Sequence, residues 1–249
     1  MSYKKQAISF GLVNIPVELN PVIKNNDTAF NLIYKKTGGR IKQQKVCAET
    51  GVVVDNKDII KGYQYTPGNY VTFTDDDFSK LQAIGDNNIE IISFVDLKEI
   101  DPVYFEKSYY LTTKGSSKAF SLFKKALNKA GKVAIAKTVM GYKSYHVVLR
   151  FGKNHIIMNT LYFEEEVMLE EDTLETEFTK AELDMAIKLI ESMSGKFEPK
   201  KYIDEYQNRI KAAIDKKIKG KALVKPKGKK AQNISNLMEA LEKSIKVTK

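Results

Sequence analysis

Short runs of alternating apolar and polar positions fill roughly the first 165 residues of the chain, and helical spacing takes over after them. Residues 6–23 (QAISFGLVNIPVELNPVI) alternate loosely and are broken by Gly11, Pro16 and Pro21, which predicts two short strands joined by a turn. Residues 30–54 predict one long hairpin with Gly38-Gly39 at a bend. Asp75-Asp76-Asp77 opens a short helix that carries Phe78 and Leu81. Residues 89–95 and 103–111 are rich in β-branched and aromatic side chains and predict strands. Ser116 or Ser117 caps a helix ending at Gly131, whose apolar stripe is Phe120, Phe123, Ala126, Leu127 and Ala130. Three further strands are predicted over 132–140, 144–151 and 155–163.

Beyond them, Thr179-Lys180-Ala181-Glu182 is a capping box for a helix reaching Gly195. A second helix over 200–218 brings Tyr202, Tyr206, Ile210, Ile214 and Ile218 near one face. Residues 219–230 (KGKALVKPKGKK) hold six Lys and no acid, with Pro226 and Gly228 inside, and form a linker rather than a helix. A short helix over 234–245 follows. The pattern therefore predicts an α+β, mainly β chain with no internal repeat. Its expected divisions are 1–195 for the β body, 196–220 for a helical arm, and 221–249 for the Lys-rich linker and closing helix.

Charge sharpens this outline. With 249 residues and 43% hydrophobic content the chain can bury a core, while its formal charge of +10 calls for an anionic partner. The surplus is segregated. Residues 114–153 carry ten basic side chains and no Asp or Glu, and residues 22–47 carry six against Asp27 alone. Residues 164–184 hold ten acids and one Lys. Grouped like charges repel unless a polyanion or counterions offset them, although a solvated face is the plainer reading of any single run. In the strand VAIAK, period two puts Lys137 on a face with Val133, Ile135 and Val139. Such a Lys either snorkels at the strand end or meets an anion, and Lys143 and Arg150 stand nearby. Only three Arg occur (Arg40, Arg150, Arg209), so Lys predominates, acting as a point charge on phosphate rather than reading base edges. Sequence-independent binding of a duplex is the first expectation.

Other classes find little support. A single Cys, no signal-peptide pattern and no apolar run near the roughly 18 residues of a membrane span point to a soluble, cytoplasmic, nucleoid-associated protein. His146 and His155 lie in predicted strands without metal or nucleophile spacing, and Cys47 stands alone. Gly38-Gly39 lacks the spacing of a phosphate loop. Glu164-Glu165-Glu166 reads as a solvated edge rather than a metal cluster. No enzyme is expected, and no cofactor.

Several of these segments together resemble the Ku core of bacterial non-homologous end joining. They are AISFGLVNIPVEL (7–19), FNLIYKKTGGRIKQQKVCAETG (30–51), DIIKGYQY (58–65), IDPVYFEKSYYL (100–111), KAFSLFKKALNKAGKVAIAK (118–137), NTLYFEEEV (159–167), FEPKKYIDEYQNRI (197–210) and ISNLMEALEKSI (234–245). The resemblance implies a β-barrel core with an extended strand bridge, two copies of which form a DNA-encircling ring, followed by C-terminal helices. It implies a homodimer that takes up double-stranded DNA ends without sequence preference. Lys35, Lys36, Arg40, Lys42 and Lys45 match the bridge and are candidate phosphate contacts. Lys137 and Lys143 match a further contact region, and Arg150 joins them from the charge pattern. Many relatives resemble a metal knuckle at Cys-x-x-Cys-Gly, but here Cys47-Ala48-Glu49-Thr50-Gly51 lacks the second Cys, so no metal is expected. A multidomain ATP-dependent ligase resembling ligase D is the implied partner, with the Lys-rich linker and closing helix as candidate contacts. Two rivals remain open: an architectural nucleic-acid binder without end selectivity, and a metal-dependent nuclease.

Overall fold

The structure, a computed structural model, describes residues 4–81, 88–115, 117–141, 143–168 and 177–223, with residues 241 and 244. In chain order its elements are β1 (Lys4–Phe10), β2 (Val13–Pro21), β3 (Lys61–Thr66), β4 (Asn69–Phe73), α1 (Asp75–Lys80), β5 (Ile89–Val95), β6 (Phe105–Thr112), α2 (Lys118–Ala130), β7 (Val133–Met140), β8 (Lys143–Gly152), β9 (His155–Leu161), α3 (Lys180–Met193) and α4 (Glu205–Ile218). The chain packs as two compact units. One comprises Met1–Asn25 and Asn31–Leu169, the other Asn26–Phe30 and Glu170–Lys249. Both α3 and α4 fall in the second of these units.

In the first unit, seven strands close into a barrel in the order β1-β2-β6-β9-β8-β7-β5. Neighbours are antiparallel except at the seam, where β1 meets β5 in parallel through Ile8–Ile89 and Ser9–Glu90. Closure leaves no edge strand to template aggregation. Period two then sorts the side chains. In β7, Ala134, Ala136 and Thr138 are buried while Lys137 between them is exposed. Val147, Leu149, Ile156 and Met158 from β8 and β9 meet Ile8, Ile15, Val17, Leu19 and Leu111 in one core. Each such burial contributes about 1.5–3 kcal/mol.

α2 joins that core. Ser117, the second of the two candidate caps, accepts a hydrogen bond from the Phe120 amide at 3.2 Å. Phe123 and Leu127, one turn apart, enter the core, and the Phe123 ring lies 5.5 Å from that of Phe10. The helix ends at Gly131, whose φ of +65° lets its amide reach the Leu127 carbonyl at 3.1 Å. A Cβ there would meet nothing within 4 Å. Gly131→Ala should therefore cost about 1–2 kcal/mol through the left-handed backbone alone, measured by urea unfolding. A change under about 0.5 kcal/mol, the ordinary range for a surface substitution, would contradict that account.

Between β2 and β5 the chain leaves the barrel. Residues 31–72 are exposed apart from Cys47 and Val54, and end in the β3–β4 hairpin. The sequence reading passed over this hairpin, although Pro67-Gly68 between alternating Tyr63, Tyr65 and Tyr70 marks it; Gly68 has φ +81°. The expected single hairpin over 30–54 is instead two tight loops, described below.

In the second unit α3 and α4 carry capping interactions at Thr179–Glu182 and Asp204–Gln207. Thr28 donates its hydroxyl to Gln207 Oε1 at 2.9 Å. Neither helix has a buried residue, and Ile190, Met193, Phe197, Tyr202 and Tyr206 are exposed. The second helix starts at Glu205, later than the expected 200, because a single 3-10 turn occupies Pro199–Lys201. The expected closing helix over 234–245 lies almost wholly outside the described residues.

Candidate nucleic-acid interface

The cationic arm is built from two loops with the same hydrogen bonds. In the first, Ile41 N donates to Leu32 O at 2.9 Å, Tyr34 N to Gly39 O at 2.8 Å, and Gly38 N to Tyr34 O at 2.8 Å. In the second, Val54 N donates to Lys45 O, Cys47 N to Val52 O, and Gly51 N to Cys47 O, each at 2.9 Å. Gly38 and Gly51 take the required positive φ, +72° and +69°. Thr50 and the amides of Thr50 and Glu49 hydrogen-bond the Cys47 sulfur and hold its thiol below the ordinary range. Tyr34 and Thr37 stand where the second loop has Cys47 and Thr50. No group of three His, Cys, Asp or Glu able to hold a metal occurs among the described residues.

Lys35 and Lys36 sit in the turn of the first loop, and Arg40, Lys42 and Lys45 lie on the stretch leading to the second. All five are exposed, and none forms an ion pair among the described residues. With no core beneath them and no ion-pair partner among the described residues, these cations can replace the counterions condensed on a phosphate backbone.

The barrel cations are differently placed. Lys137 meets Glu90, its register partner on β5, at 3.2 Å. Lys143 meets Glu166 at 3.0 Å. Arg150 Nε donates to Asn159 Oδ1 at 2.9 Å, and Asn159 in turn donates to Ser108 Oγ at 2.7 Å, a chain across β8, β9 and β6. The same holds for Lys107 with Glu106 (2.8 Å), Lys114 with Glu18 (3.5 Å) and Lys132 with Asp96 (3.0 Å). Four of the ten cations in the acid-free run 114–153 are thus paired with acids from outside it. Exposed pairs of this kind are weak, about 0–1 kcal/mol, so a phosphate can compete for the Lys at small cost.

Two of these acids mark one mouth of the barrel. The Lys107 ammonium beside Glu106, with the Thr160 hydroxyl, holds that carboxyl below its usual range. The Phe163 amide, followed by Lys143, does the same for Glu166. A depressed folded pKa means stabilisation that is present above the unfolded carboxylate value and lost as pH falls through the folded one. Thermal stability should therefore drop on acidification below about pH 5, and a Glu106→Gln/Glu166→Gln variant should show a flatter acid limb. Identical acid limbs in melting curves would show that the two carboxylates carry none of it.

The remaining candidates have structural partners. The His146 ring packs tilted against Phe163 with centroids 5.0 Å apart, and His155 likewise against Tyr110 at 4.9 Å. Glu164–Glu166 form an exposed 3-10 turn rather than a strand end.

A closed seven-stranded barrel with an exposed cationic arm defines a β-barrel protein with a candidate polyanion-binding surface. The family model described as the Ku70/Ku80 beta-barrel domain matches residues 9–185, which include the arm and every barrel strand from β2 onward. Curated relatives named non-homologous end joining protein Ku cover nearly the whole chain. That of Lachnoclostridium phytofermentans is 36% identical over 247 residues, spanning 98% of this chain and 96% of its own. That of Heliobacterium modesticaldum is 37% identical, spanning 98% and 91%, and that of Bacillus subtilis 34%, spanning 98% and 81%. The chain belongs to the Ku family.

Proposed function

We propose that the chain binds double-stranded DNA ends without sequence preference, as a homodimeric ring acting in non-homologous end joining. It acts by binding rather than by catalysis, and recruits an ATP-dependent ligase resembling ligase D. The observation that carries this reading is the arm: five exposed cations without acidic partners among the described residues, on a segment without a core of its own. Phe30, Leu32, Ile41, Val52, Ile60 and Tyr63 are exposed along the same stretch, and a second copy laid against it would cover them. Membership of the Ku family, and relatives named for end joining, support the same reading.

In this mechanism the closed shape gives end selectivity, because a ring cannot pass onto a duplex that has no end. Affinity comes from Lys35, Lys36, Arg40, Lys42 and Lys45, with Lys137, Lys143 and Arg150 contributing once their protein partners are exchanged for phosphate. The test is a gel shift on labelled linear duplex with equal masses of linear or closed circular DNA as competitor. Displacement by linear DNA alone is expected. Equal displacement by circular DNA would make the protein an open backbone binder and remove the ring.

A further inference from the structure

We infer that the outer face of α2 is a second phosphate-contacting surface, for duplex DNA beyond the contacts of the bridge; it rests on the DNA-binding reading above. Lys118, Lys125 and Lys129 are seven and four residues apart, so they fall in one stripe on the helix, together with Leu122. Phe123 and Leu127 on the opposite side are held in the barrel core, which fixes the direction in which this stripe faces.

Three observations single out these side chains, although Lys5, Lys98 and Lys153 are likewise exposed without an ion pair among the described residues. First, α2 contains no Asp or Glu, and Lys118 stands at its N-terminal end, where the helix dipole already favours an anion over a cation. Second, Lys107, Lys114, Lys132, Lys137 and Lys143 all have carboxylate partners, whereas Lys118, Lys125 and Lys129 are exposed and have none among the described residues. Third, Lys124, on a neighbouring stripe, points to the Asn154 carbonyl at 3.4 Å and is drawn off the outer face. From Lys118 to Lys129 the stripe runs about 16 Å at the rise of an α-helix. Along a duplex axis that is about five base-pair steps at 3.4 Å each. A stripe of Lys suits a phosphate backbone, where each ammonium acts as a point charge.

The experiment compares wild-type protein with Lys118→Ala/Lys125→Ala/Lys129→Ala and the corresponding triple Glu variant, all checked for unchanged melting. Affinity for a short duplex of about 15 base pairs and a long one of about 40 is read by anisotropy between about 50 and 200 mM salt, with capture of a second labelled duplex on immobilised complexes. If the stripe lies along the threaded duplex, the Ala variant loses affinity for the long duplex only, with a salt slope shallower by about 2–3 units for each subunit whose stripe is engaged. If it holds a second duplex, affinity for the first is unchanged and capture falls. Wild-type values in both assays would overturn the inference. Should those wild-type values accompany duplex binding that is still lost on reversing the bridge charges, the α2 inference falls alone. Were wild-type protein to bind no duplex, the functional reading would fall with it.

Discussion

Reversing four charges on the arm, Lys35→Glu, Lys36→Glu, Lys42→Glu and Lys45→Glu, should abolish duplex binding at physiological salt. Each phosphate neutralised by a cation contributes about 0.9 to the slope of log affinity against log salt. In the proposed homodimer, four contacts from each subunit give a slope near −7, and a set of this size controls on the order of 10³–10⁵ in affinity between 50 and 200 mM salt. Replacement by Glu adds repulsion to that loss. None of the four side chains is buried or paired among the described residues, so the fold should be affected by no more than about 0.5 kcal/mol. Melting temperature is the control, and each milder Ala substitution, which removes one contact per subunit, should shed the slope by about 1.8. A quadruple variant that melts and binds as wild type would show that the arm is not the interface. Lys143→Ala should have a smaller effect, because Lys143 already holds Glu166 at 3.0 Å and must give up that partner to meet phosphate.

Phe123→Ala is expected to be the most damaging single substitution for stability. The ring is 6% exposed, belongs to the central core and lies 5.5 Å from Phe10. Truncation of a buried Phe removes its transfer free energy and leaves a cavity, at about 3–5 kcal/mol. For a protein of this size that is a drop in melting temperature of about 6–20 °C, read by calorimetry or circular dichroism. Duplex affinity measured well below the new transition should survive, since no arm residue is touched. A shift under about 2 °C would mean that α2 does not dock in the barrel, and its Lys stripe would lose its fixed direction.

Much of this architecture is legible from residue spacing. Period-two runs locate β5 to β9 within a few residues, because a half-buried strand shows its inward face directly in alternation. Caps at Ser117 and Thr179 and the stop at Gly131 are equally readable, since each depends on groups three or four residues apart. The hairpin at Pro67-Gly68 was there to be read as well. The repeated loops were harder: Thr37-Gly38 and Thr50-Gly51 coincide, each Thr hydroxyl accepting from the amide two residues on, but Tyr34 and Cys47 share no side-chain chemistry and the flanking residues differ.

By itself, then, the sequence determined the strands and helices, the Lys-rich arm and the acid-free run, because these depend on local order and on composition. Tertiary structure alone decided which of those charges remain available. Barrel closure brings Glu18, Glu90, Asp96 and Glu166 beside Lys114, Lys137, Lys132 and Lys143, pairings that cross between strands far apart in the chain. It leaves Lys35, Lys36, Arg40, Lys42 and Lys45 on the arm, and Lys118, Lys125 and Lys129 on α2, without such partners among the described residues. Electrostatic compensation acts through distance in space, and separation along the chain does not report it until the barrel is closed.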